Sequence, residues 1–419
     1  MTVERDTTRK VFRRIIPLCF TLYVISYIDR ANIGYAALQM NREVGLSNSA
    51  FGLASGIFFI GYFLCEVPSN LMLMKFGARR WICRILVSWG AIAAATAFVQ
   101  NETQLYILRF LLGAAEAGFF PGIILYLSFW FREKQQATTI AAFTAAIPFS
   151  YVLGGPISTY IMDHVSGFGL SGWRWMLLLE GLPAVAGGIA ALFLLTDRPE
   201  QATWLSAEER SWLQTSLDAE RRQKPHRENP GVLRAIADRR VLYLSAIYFL
   251  YQCGSLGVGY WLPQILKSLA ATRSSFEIGL IAALPYALAT IAMVVWSRRS
   301  DRQGERRRHA WLPLAAAAAA LAPLPLTAGP VYSILLLCVA LSGLYAFKAP
   351  FWGLPGGFLA PSAAATAIAA INSLGNLGGF AGPSLTGLLF DATGSQTAGL
   401  LVLAALVLLA AVMTGRAPR

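Results

Sequence analysis

Charge is scarce in this 419-residue chain: Asp, Glu, Lys and Arg make up 14% of it, where soluble domains carry about 25%. Apolar residues reach 56% and the mean hydropathy is +0.53, which excludes an ordinary soluble domain and points to an integral membrane protein. Histidine occurs only three times, at His164, His226 and His309, in three separate polar segments, so no metal site is suggested. The five cysteines, Cys19, Cys65, Cys83, Cys253 and Cys338, all fall inside apolar stretches and do not form a disulfide framework. No nucleophile–base pair, metal-ligand cluster or phosphate-binding loop is present, which argues against an enzyme. No small-residue cleavage signal follows the basic start "MTVERDTTRKVFRR", so the first apolar segment is read as a retained span.

What is present is a series of apolar runs. A helical span needs about 20 apolar residues, and polar breaks divide the chain into twelve candidates: 15–38, 49–73, 81–99, 103–130, 137–162, 174–196, 240–263, 276–297, 310–328, 331–351, 358–389 and 396–415. The expected class is therefore an all-α membrane protein. With the N-terminus cytoplasmic, 28 of the 35 Lys and Arg residues fall on the cytoplasmic side and four on the other. By the positive-inside rule both termini are cytoplasmic. The same placement accounts for the net charge of +13 without nucleic acid, because basic loops face the anionic leaflet.

The long polar stretch 197–239 separates six spans (1–196) from six (240–419). Within it, Ser206 and Glu209 have capping-box spacing, so a short amphipathic surface helix is expected. The halves echo one another. "GGPISTYIMD" (154–163) and "GPSLTGLLFD" (382–391) both place Gly-Pro early and Asp last, and basic Gly-containing loops follow the second and eighth spans. Two like halves predict a transporter with its site at the midplane between them.

These features resemble the major facilitator superfamily. "SDRQGERRR" resembles that superfamily's loop signature, with Asp301, Arg302, Gly304 and Arg306 as its gating and turning residues; "KFGARR" is a degenerate copy without the acid. "LRFLLGAAEAG" is similar to its fourth-span motif. More narrowly, "YIDRANIGYAAL", "GIFFIGYFLCEVPSN" and "GWRWMLLLEGLPA" resemble the anion:cation symporter family, whose members include tartrate, phthalate, 4-hydroxyphenylacetate and sugar-acid permeases. The resemblance implies twelve helices in two pseudo-symmetric halves, an organic anion and protons as partners alongside membrane lipid, no cofactor beyond the proton gradient, a monomer, and a bacterial inner membrane.

An ionisable group at the bilayer centre costs about 2.5–3.5 kcal/mol on insertion scales, so it is a functional candidate by default. The candidates are Asp29, Arg30, Glu66, Arg109, Glu116, Glu180 and Lys348. Arg109 and Glu116 are seven residues apart, which returns them to nearly one helix face. Counted by helical rise, Asp29 and Arg109 fall at a similar depth and are expected to share a cavity. A guanidinium holds a carboxylate with two parallel bonds, so Arg30 and Arg109 suit a substrate carboxylate and Asp29 and Glu116 suit protons; the resemblance implies the same roles. An anion that takes an arginine from a carboxylate leaves that carboxylate ready to accept a proton, which is the coupling symport requires. Against this stands a structural reading, in which these charges only lock helices together. Glu66 is read as part of a gate network and Glu180 as helix packing. Lys348 is either a second anion contact or a snorkelling side chain. Trp173 and Trp175 are read as belt residues.

Matched to the sugar-acid branch, Tyr27, Tyr62, Gln252, Trp352 and Asn372 join Arg30 and Arg109 as expected substrate contacts. Ala349, Phe351 and Ile147 are apolar where that branch is more polar, which suits a smaller or more apolar acid, tartrate-like or aromatic such as 4-hydroxyphenylacetate. An aldonate permease of the same family, or a non-transporting sensor on the same scaffold, stands as the alternative.

Overall fold

The computed structural model describes residues 2–223, 238–327, 329–355 and 361–417, and its regular elements are helical apart from one isolated bridge between Gly167 and Leu170. In chain order the longer helices are α1 (Thr2–Val44), α2 (Asn48–Phe76), α3 (Ala78–Ala95), α4 (Glu102–Glu116), α5 (Phe119–Ser128), α6 (Glu133–Thr144), α7 (Ala146–His164), α8 (Gly172–Leu194), α9 (Ala207–Gln223), α10 (Arg239–Leu269), α11 (Ser275–Gln303), α12 (Arg307–Leu321), α13 (Pro330–Trp352), α14 (Pro361–Asn376), α15 (Gly378–Thr393) and α16 (Gln396–Gly415). Eleven helical runs among the described residues are long and apolar enough to cross a membrane, with α4–α5 and α6–α7 each counted as one run. The consecutive pair α14–α15 makes the twelfth pass. The far end of the 197–239 linker, Ala328 and the start of the 358–389 segment lie outside the described residues.

The helix boundaries differ from the sequence reading in two ways. The first helix begins at Thr2 rather than near residue 15, because its polar first turns are held by ion pairs: Lys10 to Glu209 on α9 at 2.5 Å, and Glu4 to Arg132 and Lys134. Three passes are also broken. The fourth is interrupted at Ala117–Gly118, where Gly118 has φ +85° and any Cβ would lie 2.4 Å from Ser69 Oγ, a position only glycine fills. The fifth breaks after Thr144, four residues before Pro148, which has no N–H to continue the ladder. The eleventh breaks at Leu377.

The stretch after α8 folds α9 back onto α1. Its capping box forms, with Ser206 N donating to Glu209 Oε2 (2.9 Å) and Glu209 N to Ser206 Oγ (3.1 Å). This face also carries Arg306–Arg308 and Arg416, and it is called the basic face below.

At the opposite face the two halves are closed against each other by symmetric contacts. Asp391, at the end of α15, accepts from Asn48 N (3.2 Å), Asn48 Nδ2 (2.8 Å) and Ser49 N (2.7 Å) at the start of α2. Asp163, at the end of α7, accepts from Phe276 N (2.7 Å) at the start of α11. Each half thus caps a helix of the other. Beneath these caps the backbones nearly touch. A Cβ on Gly52 would sit 2.5 Å from Pro383 O, and one on Gly279 2.0 Å from Thr159 Oγ1 and 2.7 Å from Gly155 O.

Candidate functional site: a charged cluster between the halves

Pass 1 delivers two neighbouring charges in different directions, because adjacent helical residues diverge by roughly 100°. Arg30 turns toward α4. Its Nε donates to Glu116 Oε1 at 2.7 Å, and Ser26 Oγ donates to the same oxygen at 2.7 Å. Glu116 is 1% exposed and terminates α4 at the glycine break. The Arg30 guanidinium carbon lies 5.3 Å from the Tyr27 ring, 5.4 Å from Phe58 and 5.2 Å from Tyr62. An aromatic cage of this kind holds a desolvated cation by its ring faces.

Asp29 turns the other way. It accepts from Trp89 Nε1 on α3 at 2.8 Å, with a long contact from Asn32 Nδ2 at 3.5 Å. Glu180 on α8 lies within electrostatic reach and accepts from Ser158 Oγ at 2.6 Å, while its second oxygen has no partner among the described residues. Asp29 makes no direct bond to Arg109, which lies within its electrostatic reach. Equal depth is not equal direction, and the indole of Trp89 takes the Asp29 carboxylate.

Arg109 is 2% exposed. Its Nε donates to Ala54 O at 3.2 Å, its guanidinium carbon lies 5.1 Å from the Phe58 ring, and the Tyr260 hydroxyl of the other half stands beside it. Among the described residues no carboxylate bonds it, and its Nη2 has no hydrogen-bond partner. Its expected neighbour on the same helix face, Glu116, is bonded to Arg30 instead.

In the second half, Gln252 Nε2 donates to Asn376 Oδ1 at 2.9 Å. Trp352 closes α13 with its ring 4.9 Å from Tyr248 and 5.3 Å from Phe351. Asn372 is partly buried on α14. Tyr27 lies within electrostatic reach of Tyr248, Tyr251 and Tyr345, so the Arg30 cluster and the second-half aromatics border one space. Two surface concavities, of about 470 and 170 Å³, lie near the opposite face and contain none of these residues.

Between the halves, Ser373 Oγ donates to Glu66 Oε2 at 3.1 Å. In the loop motif, Gly304 caps α11 at φ +65°, Arg306 pairs with Asp301 and donates to Ser300 Oγ at 3.3 Å, and Arg302 lies in the last turn of α11. The first-half copy does have an acid, supplied from elsewhere: Asp197 Oδ1 accepts from Arg79 N at 2.8 Å beside Gly77. Trp173 is fully buried and donates to Glu43 Oε2 at 2.7 Å, so it is not a belt residue. Ser26, Trp89, Phe58 and Tyr260 were not among the sequence candidates. Only their nearness to "YIDR" or their place in an apolar run marked them, and neither signal picks a partner.

A twelve-pass helical membrane protein with charges buried between two like halves is the architecture of a secondary transporter. Residues 19–383 match the family model described as Major Facilitator Superfamily. The chain is 48% identical over 416 residues to a protein of Agrobacterium vitis named "Putative tartrate transporter", covering 98% of this chain and 91% of that one. It is 38% identical over 414 residues to a "Quinolone resistance transporter" of Acinetobacter baumannii, covering 99% and 95%. A solved structure of a bacterial homolog to the human lysosomal transporter Spinster, inward-facing and unoccupied, superposes with a TM-score of 0.82 at 15% identity over 97% of both chains. The chain belongs to the Major Facilitator Superfamily, and it is a membrane transporter rather than an enzyme.

Proposed function

We propose that the protein is a symporter that carries a small organic carboxylate inward with protons by alternating access, in a bacterial inner membrane with its basic face cytoplasmic. The observation that carries this reading is Arg109, a buried guanidinium that no carboxylate neutralises among the described residues. Leaving a buried charge unpaired costs several kcal/mol, so its retention is explained by an anion that arrives from outside. The relatives named for tartrate supply the substrate type.

Arg30 supplies the coupling. In the absence of substrate its Nε is held by Glu116. A substrate carboxylate settling between Arg109 and Arg30 competes with Glu116 for that guanidinium. Glu116 yields it on taking a proton, which makes proton and anion binding mutually favourable. Asp29, held by Trp89 on the far side of the same helix, is a second proton carrier. Tyr27, Tyr62, Gln252, Trp352 and Asn372 line the surrounding space as substrate contacts. Closure at Asp391 and Asp163 shuts the face opposite the basic face.

The test is uptake by proteoliposomes of radiolabelled tartrate, 4-hydroxyphenylacetate, phthalate and an aldonate, with and without an inward proton gradient. The expected result is gradient-driven accumulation of at least one acid. Uptake of none, or accumulation indifferent to the gradient, overturns the reading.

A further inference from the structure

Arg84 has no part in the transport cycle set out above. It lies six residues into α3, inside a run apolar enough to cross the membrane, and it forms no ion pair among the described residues. A basic side chain inside a pass carries an insertion cost, so its contacts have to account for its place.

Those contacts converge on the break in the fourth pass. Arg84 Nη1 donates to Ala115 O at 3.2 Å. In an unbroken helix that carbonyl accepts from the amide of residue 119. The break at Ala117–Gly118 leaves that bond unmade, while Gly113 O still accepts from Ala117 N at 3.0 Å. The Arg84 guanidinium carbon lies 4.2 Å from the centre of the Trp81 ring, a cation–π contact. Trp81 Nε1 donates to Ser69 Oγ at 3.0 Å, and Ser69 is the side chain that fills the space beside Gly118. Arg84, Trp81 and Ser69 therefore brace both sides of the break.

The residue between the braced carbonyl and the break is Glu116. Ala115 O belongs to the peptide group that carries the Glu116 amide. A hold on that oxygen fixes the orientation in which Glu116 leaves the helix toward Arg30 Nε and Ser26 Oγ. The charge of Arg84 has a use as well. The C-terminal end of a helix carries partial negative charge, and Glu116 adds a carboxylate to the end of α4. A guanidinium on that last turn offsets both, whereas a neutral donor satisfies the carbonyl alone.

We propose that Arg84 is a positioning residue for proton coupling, which acts through the Ala115 carbonyl to keep Glu116 on Arg30. The inference rests on the transport reading above, in which Glu116 gives up Arg30 to the anion on taking a proton. Without the brace the last turn of α4 is free to turn and Glu116 no longer meets Arg30. The anion then reaches Arg30 without displacing a proton-accepting carboxylate, so transport persists but loses its drive.

The experiment uses the full chain in proteoliposomes, with the radiolabelled acid, among the four named above, that the wild type accumulates fastest. It compares accumulation driven by an inward proton gradient with exchange in the absence of a gradient. Arg84→Gln is expected to lower accumulation about 10-fold, the scale of one hydrogen bond to a charged group, while exchange stays within about 2-fold and the thermal midpoint is unchanged. Arg84→Lys, which keeps a charged donor without the planar fork, is expected to hold accumulation within about 3-fold of the wild type. In a Glu116→Gln background, Arg84→Gln is expected to leave exchange unchanged, because the carboxylate it positions is gone. Wild-type accumulation in Arg84→Gln overturns the proposal and leaves the transport reading intact. A fall of accumulation and exchange together, a variant that does not fold, or a further loss of exchange in the Glu116→Gln background also overturns it, since each shows that Arg84 serves packing alone. Accumulation of no acid by the wild type removes the transport reading and the proposal with it.

Discussion

The caps that close the opposite face predict a measurable shift of the alternating-access equilibrium. Asp391 accepts three hydrogen bonds from Asn48 and Ser49, and those donors belong to the other half of the molecule. The bonds therefore exist only while that face is shut. Replacing a capping side chain with alanine costs about 0.5–2 kcal/mol, and at 1.4 kcal/mol per tenfold the open population should rise by roughly 2- to 30-fold in Asp391→Ala. Asp163→Ala, which removes one bond to Phe276 N, belongs at the lower end of that range. The two caps lie on different helix pairs, so their free energies should add. The assay is the rate at which a membrane-impermeant maleimide labels a Ser384→Cys reporter in a cysteine-free background, because Ser384 is buried against Gly52 just inside the seam. Labelling should accelerate by the stated factors while the thermal midpoint barely moves. An unchanged labelling rate together with a lowered midpoint would show that the caps serve folding alone and that the gating argument is wrong.

Arg109→Met should abolish substrate binding, a loss of about 100-fold or more for two charge-assisted bonds, yet leave the thermal midpoint unchanged or raised, because it removes an unpaired buried charge; binding and melting of the same preparation check both halves of the claim. Gly279→Val inserts a side chain where a single Cβ already meets Thr159 Oγ1 at 2.0 Å, so that face should fail to shut, and steady-state uptake should vanish while the maleimide reporter labels rapidly. Lys10, beside Glu209, holds that carboxyl below its ordinary value of 4.5. A lowered carboxylate adds stability that is complete above about pH 4.5 and lost as pH falls below it. Glu209→Ala should therefore loosen α9 by about 1 kcal/mol at neutral pH and by much less at pH 3, read by hydrogen exchange of the α9 amides.

Much of the fold was legible because its cause is local. A run of about 20 apolar residues has few options in a bilayer, and eleven such runs, with the α14–α15 pair, follow the sequence spans within a few residues at most ends. Partners were not legible, because they are chosen across the bundle. "YIDR" showed that Asp29 and Arg30 must diverge, but it did not show that Trp89 waits on one side and Glu116 on the other. Asp163 and Asp391 stood out as repeat marks, yet nothing in either segment says that each reaches a helix start in the other half. "KFGARR" read as a motif without its acid because Asp197, which fills that place, lies 118 residues away from Arg79. The break at Gly118 was hidden inside an apolar run, and the close approach of the Ser69 side chain on α2, which leaves no room for a Cβ there, is invisible in the local sequence.

The central claim is that Glu116 exchanges a proton for the substrate carboxylate on Arg30. Its most direct test compares two transport modes of Glu116→Gln in proteoliposomes: accumulation driven by an inward proton gradient, and exchange of labelled for unlabelled substrate with no gradient. The amide mimics the protonated acid, so the account predicts that exchange persists while accumulation and its pH dependence disappear. Accumulation at the wild-type rate in Glu116→Gln would contradict it and leave the pair with Arg30 as scaffolding.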